Sequence, residues 1–152
     1  MQSKKYYIGG KEIKTYPPEE ICAKCGGRCC KRMAGHYSPQ DFEDLSFDGL
    51  KKEIEGGRIS IDWWEGENFT REYYLRGRHV HEPIVFGSWG GRCVNHTENG
   101  CILDWEKRPL ACKNLKPNKY GLCGGSNYSK EDCKNEWKTY SDVLVRLVNC
   151  FR

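Results

Sequence analysis

The sequence predicts a small, irregular, metal-stabilised α+β domain with a few helices, short antiparallel strands and a long C-terminal helix. Three observations lead there. Apolar residues recur at helical spacing behind two Ser-led capping patterns. Short segments alternate like strands. Leu, Ile, Val and Phe supply only 28 of the 152 residues, about 18%, beside ten cysteines. That share lies just under the roughly 20% at which an ordered core becomes doubtful. The 19 aromatic residues and the sulfur argue against disorder. A chain this poor in aliphatics draws part of its stability from cross-links, either metal or disulfide.

Taken in order, residues 1–21 are polar and aromatic, end in Tyr16-Pro17-Pro18, and read as an extended N-terminal arm. Residues 22–152 read as a single cysteine-cluster metal-binding domain of ordinary size. Ser38-Pro39-Gln40-Asp41 marks a helix start, with Ser as N-cap, Pro in the first turn and Asp three residues on. Phe42, Leu45, Leu50 and Ile54 give that segment an imperfect apolar face. Gly49 is a candidate break within it, and Gly56-Gly57 ends it. Ile59 to Trp63 alternate as a strand, as do Tyr73 to Leu75 more weakly. Residues 84–104 suggest further β structure with a hairpin turn at Asn99-Gly100. Ser129-Lys130-Glu131-Asp132 repeats the capping pattern. Behind it, Cys133, Trp137, Tyr140, Leu144 and Leu147 step by four, three, four and three residues, one clean helical face.

Charge and hydropathy narrow the function classes. The net charge is +4, mild for a nucleic-acid binder, which concentrates far more positive charge. No stretch approaches the roughly 18 apolar residues of a membrane span. The first ten residues carry no signal-like apolar run. The expected address is therefore cytoplasmic, where clustered cysteines mean metal or catalysis more often than disulfides.

The run Cys22-Ala-Lys-Cys25-Gly-Gly-Arg-Cys29-Cys30 is the sharpest feature. A C-x-x-C step lets two thiolates converge on one ion while the backbone turns around it, and Gly26-Gly27 supplies the conformations such a loop needs. Thiolate is a soft ligand, which favours zinc or iron–sulfur chemistry over calcium or magnesium. Adjacent side chains point apart on a helix or a strand. Cys29 and Cys30 therefore suit two neighbouring metals, or a bridge within one binuclear centre, better than chelation of one ion.

Further ligands must come from Cys93, Cys101, Cys112, Cys123, Cys133 and Cys150. In a continuous last helix Cys133 and Cys150 lie about 25 Å apart along the axis and cannot share an ion. Cys133 is the better ligand, because the first helical turn favours a thiolate. Cys150 reads as a small apolar residue near a fraying end. A strict two-residue turn at Asn99-Gly100 would put Cys93 and Cys101 on opposite faces of the ribbon. They converge only if the loop is longer or bulged; otherwise they serve different sites.

The four-cysteine run, taken with Cys93 and with Cys101-Ile102-Leu103-Asp104-Trp105-Glu106-Lys107-Arg108-Pro109-Leu110-Ala111-Cys112, resembles the zinc- or iron-chelating domain family of YkgJ-type cysteine-cluster proteins. That family shows C-x-x-C-x-x-x-C-C, two middle cysteines, an Arg-Pro-x-x-Cys signature and a last cysteine opening a C-terminal helix. The resemblance covers roughly residues 20 to 140. By position it implies Cys22, Cys25, Cys29, Cys30, Cys93, Cys101, Cys112 and Cys133 as metal ligands. The chain departs from the pattern by adding Cys123, which could replace one of the eight, and Cys150. A related motif occurs in longer flagellin lysine methylases, but this chain shows no Gly-rich signature of a methyltransferase domain.

Arg108-Pro109 would start the turn leading to Cys112, with Arg108 beside the anionic thiolates. His79 and His81, two apart, would share a strand face as a workable ligand pair; His36 and His96 each follow a cysteine within six residues. Surface or structural roles are commoner for all four. Trp63-Trp64, Tyr73-Tyr74 and Trp89 fit a core or a partner surface better than a stacking platform for bases. Asp41, Glu43 and Asp44 resemble an acidic first turn, and no catalytic set, phosphate loop or dinucleotide fingerprint is legible. The leading reading is a metal-binding protein holding zinc or iron through clustered thiolates, the metal at least structural. Iron–sulfur or redox accessory chemistry comes second, and a zinc-stabilised module for a protein or nucleic-acid partner comes third.

Overall fold

The computed structural model describes residues 4–16, 32–88, 90–98, 100–116, 124–125 and 127–152. The expected α+β class is what it shows. At the centre is the antiparallel hairpin of β3 (Ile59–Glu65) and β4 (Arg71–Gly77), in register from Ile59 opposite Gly77 to Glu65 opposite Arg71. Both strands run beyond the short alternation legible in the sequence. Backbone hydrogen bonds extend this hairpin on both sides. Tyr37 N–H donates to the Leu75 carbonyl at 2.9 Å and Gly77 N–H to the Gly35 carbonyl at 3.0 Å, while Phe86 N–H donates to the Ile61 carbonyl at 3.0 Å.

Three helices cover the hairpin: α1 (Phe47–Glu55), α3 (Lys130–Lys138) and α4 (Ser141–Phe151); a fourth, α2 (Leu110–Lys113), stands apart. Leu50, Ile54, Ile59, Ile61, Tyr74, Leu75, Trp137, Leu144, Leu147 and Val148 form the buried core between them. The predicted helix start at Ser38 is correct in its chemistry but leads only to one 3-10 turn, Pro39–Asp41. The Asp41 carboxylate accepts from Ser38 N–H at 2.8 Å, then also from Leu110 N–H at 2.9 Å and Tyr6 Oη–H at 2.6 Å. These outside donors hold it as a corner between segments. The helix proper begins at a second cap, Ser46, and Gly49 lies inside it with Asp44 packed against it.

The long C-terminal helix consists of two pieces meeting at Thr139-Tyr140, and the predicted apolar face survives the break. Cys133, Trp137, Leu144 and Leu147 are buried and Tyr140 is half-buried. Tyr140 N–H still reaches the Trp137 carbonyl and Leu144 N–H the Tyr140 carbonyl, which keeps the helical phase across the joint.

Within the expected arm 1–21, the structure forms an antiparallel hairpin rather than an extended segment. It pairs β1 (Tyr6–Ile8) with β2 (Lys11–Ile13) through Gly9 and Gly10, both at positive φ. Tyr6, Ile13 and Leu110 make a second, smaller apolar cluster beneath it. Lys113 is buried there, its Nζ donating to Tyr6 Oη and the Glu106 carbonyl, both at 2.8 Å. Two short ladders complete the fold: β5 (His96–Thr97) with β6 (Gly100–Cys101), and β7 (Leu115–Lys116) with β8 (Gly124–Gly125). Among the described residues no helix is long and apolar enough to cross a membrane.

Candidate metal centre

Cys93 is positioned by an extension of β4. Its backbone bridges His79, flanked by hydrogen bonds from Val80 N–H to the Arg92 carbonyl and from Val94 N–H to the Arg78 carbonyl, both 2.8 Å. The chain then turns at once. His96 N–H returns to the Cys93 carbonyl at 3.0 Å, and Asn95 N–H points at Cys93 Sγ at 3.5 Å. An amide aimed at sulfur favours the thiolate, against burial, which pushes the Cys93 thiol up. Arg58 is the cation acting on Cys93. Arg108, expected in that role, donates Nε to the Leu103 carbonyl at 3.1 Å and braces its own turn.

This turn answers the question of faces. In β5–β6, His96 lies opposite Cys101 and Thr97 opposite Gly100, so Gly100 already belongs to the strand, at φ 102. Asn99, the other half of the predicted turn, lies outside the described residues. The bend between Cys93 and His96 interrupts strand alternation, and Cys101 falls within electrostatic reach of the Cys93 thiol. The two therefore share a neighbourhood without a longer hairpin loop.

Cys112 lies in α2, which opens behind Pro109 as the Arg-Pro step predicts. Its Sγ faces Gly35, where a side-chain Cβ would collide with the sulfur. Gly77 plays a similar part for Cys93, with Sγ 3.4 Å from its would-be Cβ. Since Gly77 N–H is bonded to the Gly35 carbonyl, these two bare positions bring Cys93 and Cys112 to one region. Tyr37 is buried, and its phenol feels both sulfurs. Burial pushes its ionisation up, and Cys112, Asp41, Cys93 and Cys101 all push in the same direction. Three thiols and Asp41 thus act electrostatically on one phenol.

Cys133 faces the other end of Tyr37. Its Sγ–H points at the Tyr37 carbonyl at 3.6 Å, a carbonyl that also accepts Trp137 Nε1–H at 2.7 Å. Burial pushes the Cys133 thiol up to about 12, so desolvation outweighs the helix end expected to favour a thiolate. Cys93, Cys101, Cys133 and Cys150 are free thiols. Cys150 is exposed near the end of α4.

Cys22, Cys25, Cys29, Cys30 and Cys123 lie outside the described residues, as do Pro17, Pro18 and Trp89. Among the described residues, no group of three His, Cys, Asp or Glu side chains stands close enough to hold a metal ion. The residues flanking the four-cysteine run are well placed all the same. Before it, Tyr16 N–H donates to the Lys113 carbonyl at 2.8 Å and Trp105 Nε1–H to the Tyr16 carbonyl at 3.0 Å. After it, Gly91 N–H donates to the Arg32 carbonyl at 2.8 Å. Tyr16 is thus held next to Cys112, and Arg32 at Gly91, two residues from Cys93.

The histidines separate by role. His79 is buried, whereas His81 is exposed at φ 65, so they share no strand face. His36 packs edge-on against Trp64 and Tyr74, and burial lowers its pKa to about 4. The aromatic pairs are occupied internally, with Trp64 stacked on Tyr74 at 3.7 Å and Arg71 over Trp63 at 4.1 Å.

Sequence reasoning missed Tyr37, Gly35, and the buried row Asp62–Arg76–Glu82 that ends at His79. Arg76 is fully buried, its Nε 2.7 Å from Asp62 Oδ2 and its Nη1 2.5 Å from Glu82 Oε1. The only available signal was the alternation of β3, which reads Ser60 and Asp62 as the solvent side; in the fold that side is covered too.

In a scan against protein families, the CxxCxxCC family, described as "Putative zinc- or iron-chelating domain", matches residues 21–140. No curated protein and no solved structure matches the chain.

Proposed function

The chain belongs to the CxxCxxCC family of zinc- or iron-chelating domains, and from that membership we propose that it holds zinc or iron through clustered cysteine thiolates. The proposed ligands are Cys22, Cys25, Cys29 and Cys30 from the N-terminal run, with Cys93, Cys101 and Cys112 from the middle of the chain. Cys133 is the eighth candidate; to ligate, it must give up its proton and its contact with the Tyr37 carbonyl. The metal is at least structural. It would close the long connection between Cys30 and Cys93, and binding energy in such a site is folding energy. Free thiols suit a reducing compartment, and we assign the protein to the cytosol.

The supporting observation is that the described residues flanking the four-cysteine run, Tyr16 and Arg32, are hydrogen-bonded next to Cys112 and near Cys93. Four soft donors in nine residues, together with three further thiols that all act on the Tyr37 phenol, fit zinc or iron. When bound, such an ion supplies Lewis acidity if zinc, or electron transfer if iron. A centre closed by four thiolates disfavours hydrolysis, which needs an open coordination position.

The test is an anaerobic preparation with elemental analysis, an absorption spectrum and a thiol count. Stoichiometric zinc in colourless protein, or iron with thiolate charge-transfer colour, is the expected result. Acid-labile sulfide with the iron would make it an iron–sulfur centre. Protein with no metal and few titratable thiols would sink the proposal in favour of disulfides.

A further inference from the structure

His79 touches both segments that converge on the cysteines. Its backbone bridges Cys93. Its imidazole Nε2 accepts the Ala34 N–H at 3.0 Å, four residues past Cys30. Gly91 lies directly on the ring, where a Cβ would stand 3.0 Å from His79 Cβ and Cγ, and its N–H holds the Arg32 carbonyl. Residues 32–34, the exit of the four-cysteine run, are therefore tied to the Cys93 strand through and around this imidazole.

The protonation state follows from the contact. A nitrogen that accepts an amide hydrogen bond carries no proton, so the ring is neutral with its hydrogen on Nδ1. Nδ1 is fully buried and makes no good hydrogen bond; its nearest carboxylate oxygen is Glu82 Oε2 at 3.2 Å. Glu82 Oε1 accepts His79's own N–H at 3.0 Å and pairs with Arg76, which Asp62 balances. Burying this row of charges is a poor route to stability. It does fix one ring in one orientation.

We propose that His79 is a positioning residue for the cysteine centre: through the Ala34 amide it sets residues 32–34, at the exit of the Cys22–Cys30 run, against the Cys93 strand, and Glu82 holds its backbone N–H. This rests on the thiolate–metal reading above. It makes His79 an outer partner of the metal, a kind of residue whose loss typically costs about 10–100-fold in affinity.

The experiment compares His79→Gln, whose side-chain oxygen reaches roughly the place of Nε2, with His79→Asn, whose oxygen stops near Nδ1, and with His79→Leu. Ala34 amide exchange is read on metal-free protein, and Co²⁺ titration under reducing conditions reads affinity and the ligand-field band. The Asn and Leu variants should speed Ala34 exchange by about tenfold or more and weaken Co²⁺ binding about 10–100-fold with a shifted band. The Gln variant should restore both to near wild type. If Leu prevents folding, the Asn–Gln pair decides alone. Unchanged Ala34 exchange in the Asn variant overturns the inference, as does faster exchange with wild-type Co²⁺ affinity and band. A wild-type chain whose reduced thiols bind no Co²⁺ overturns the metal reading, and this inference with it; the metal-free exchange measurement distinguishes the two failures.

Discussion

The two sides of this molecule are held together by different physics. On the helical side, β3–β4, α1, α3 and α4 share a continuous apolar core of ordinary composition. On the cysteine side, between Arg76 and Cys133, the only buried hydrophobic residues among those described are Cys93 and Leu110. The buried groups there are polar: His79, Glu82, Asn95, Lys113 and Asn114. Backbone hydrogen bonds and a few ions hold that side in place, and these are worth about 1 kcal/mol each in net terms. Where apolar burial is thin, the fold leaves a vacancy in its energetics that a metal is suited to fill. Tyr37 joins the sides, its carbonyl serving Trp137 and its phenol within the electrostatic influence of the thiols.

Removing the metal should break this comparison open most widely. In reduced protein treated with a chelator, amide exchange in residues 90–116 should accelerate by about two orders of magnitude or more, while β3, β4 and α4 stay within about tenfold of the loaded protein. Uniform acceleration along the chain would mean that the two sides form one cooperative unit. The converse is Trp137→Ala. Trp137 is buried and also satisfies the Tyr37 carbonyl, so the change should cost about 3–5 kcal/mol by denaturant unfolding. Metal stoichiometry of the refolded variant should not change; a fall would show that the core positions the thiols directly.

Gly35→Ala probes the seam. The added methyl meets Cys112 Sγ, with the Cys112 backbone nitrogen also near at 3.3 Å. Overpacking of this kind costs about 1–3 kcal/mol. The sharper outcome is at the metal, where a displaced Cys112 should weaken Co²⁺ binding while leaving the far-UV spectrum intact. Wild-type affinity in this variant would remove Cys112 from the ligand set.

The same division explains what the sequence disclosed. The helical face of Cys133, Trp137, Tyr140, Leu144 and Leu147 was legible because periodicity records burial, and burial is what holds that side. The capping chemistry at Ser38 and Ser129 was legible too, since a cap is local. How far the helix runs behind Ser38 was not, because distant donors at Tyr6 and Leu110 claim the Asp41 carboxylate. On the cysteine side, spacing identified the cysteines, but their arrangement depends on a turn at Cys93, two glycines and a buried histidine. None of these leaves a periodic trace. The N-terminal hairpin escaped notice because three-residue strands are too short to show alternation.

Acid should act on the helical side through His36. Burial and the nearby Lys130 and Arg76 lower its pKa from 6.5 to about 4, with Asp62 opposing them. The folded state keeps this ring neutral where the unfolded chain would protonate it. Its contribution is complete above about pH 6.5 and is lost as pH falls through about 4. About 3 kcal/mol should disappear over that window in metal-free protein, where thiolate protonation adds nothing, and His36→Gln should flatten the profile. An unaltered profile in that variant would assign the acid sensitivity elsewhere.

Cys150 should respond least, and for that reason it calibrates the others. It sits exposed on α4, beyond the break that separates that helix from Cys133's own. It makes no contact with the thiols around Tyr37 that would let it serve the same metal. Cys150→Ser should change stability by less than about 0.5 kcal/mol and leave metal stoichiometry untouched. In loaded wild-type protein a thiol reagent should react fast at Cys150 and slowly at Cys93 and Cys133, which are buried. Adding chelator should then release the slow thiols of the cysteine side first, with Cys133 following only as the core opens. If Cys133 is released together with Cys93, it belongs to the metal centre rather than to the apolar core, and the boundary between the two sides moves to include α3.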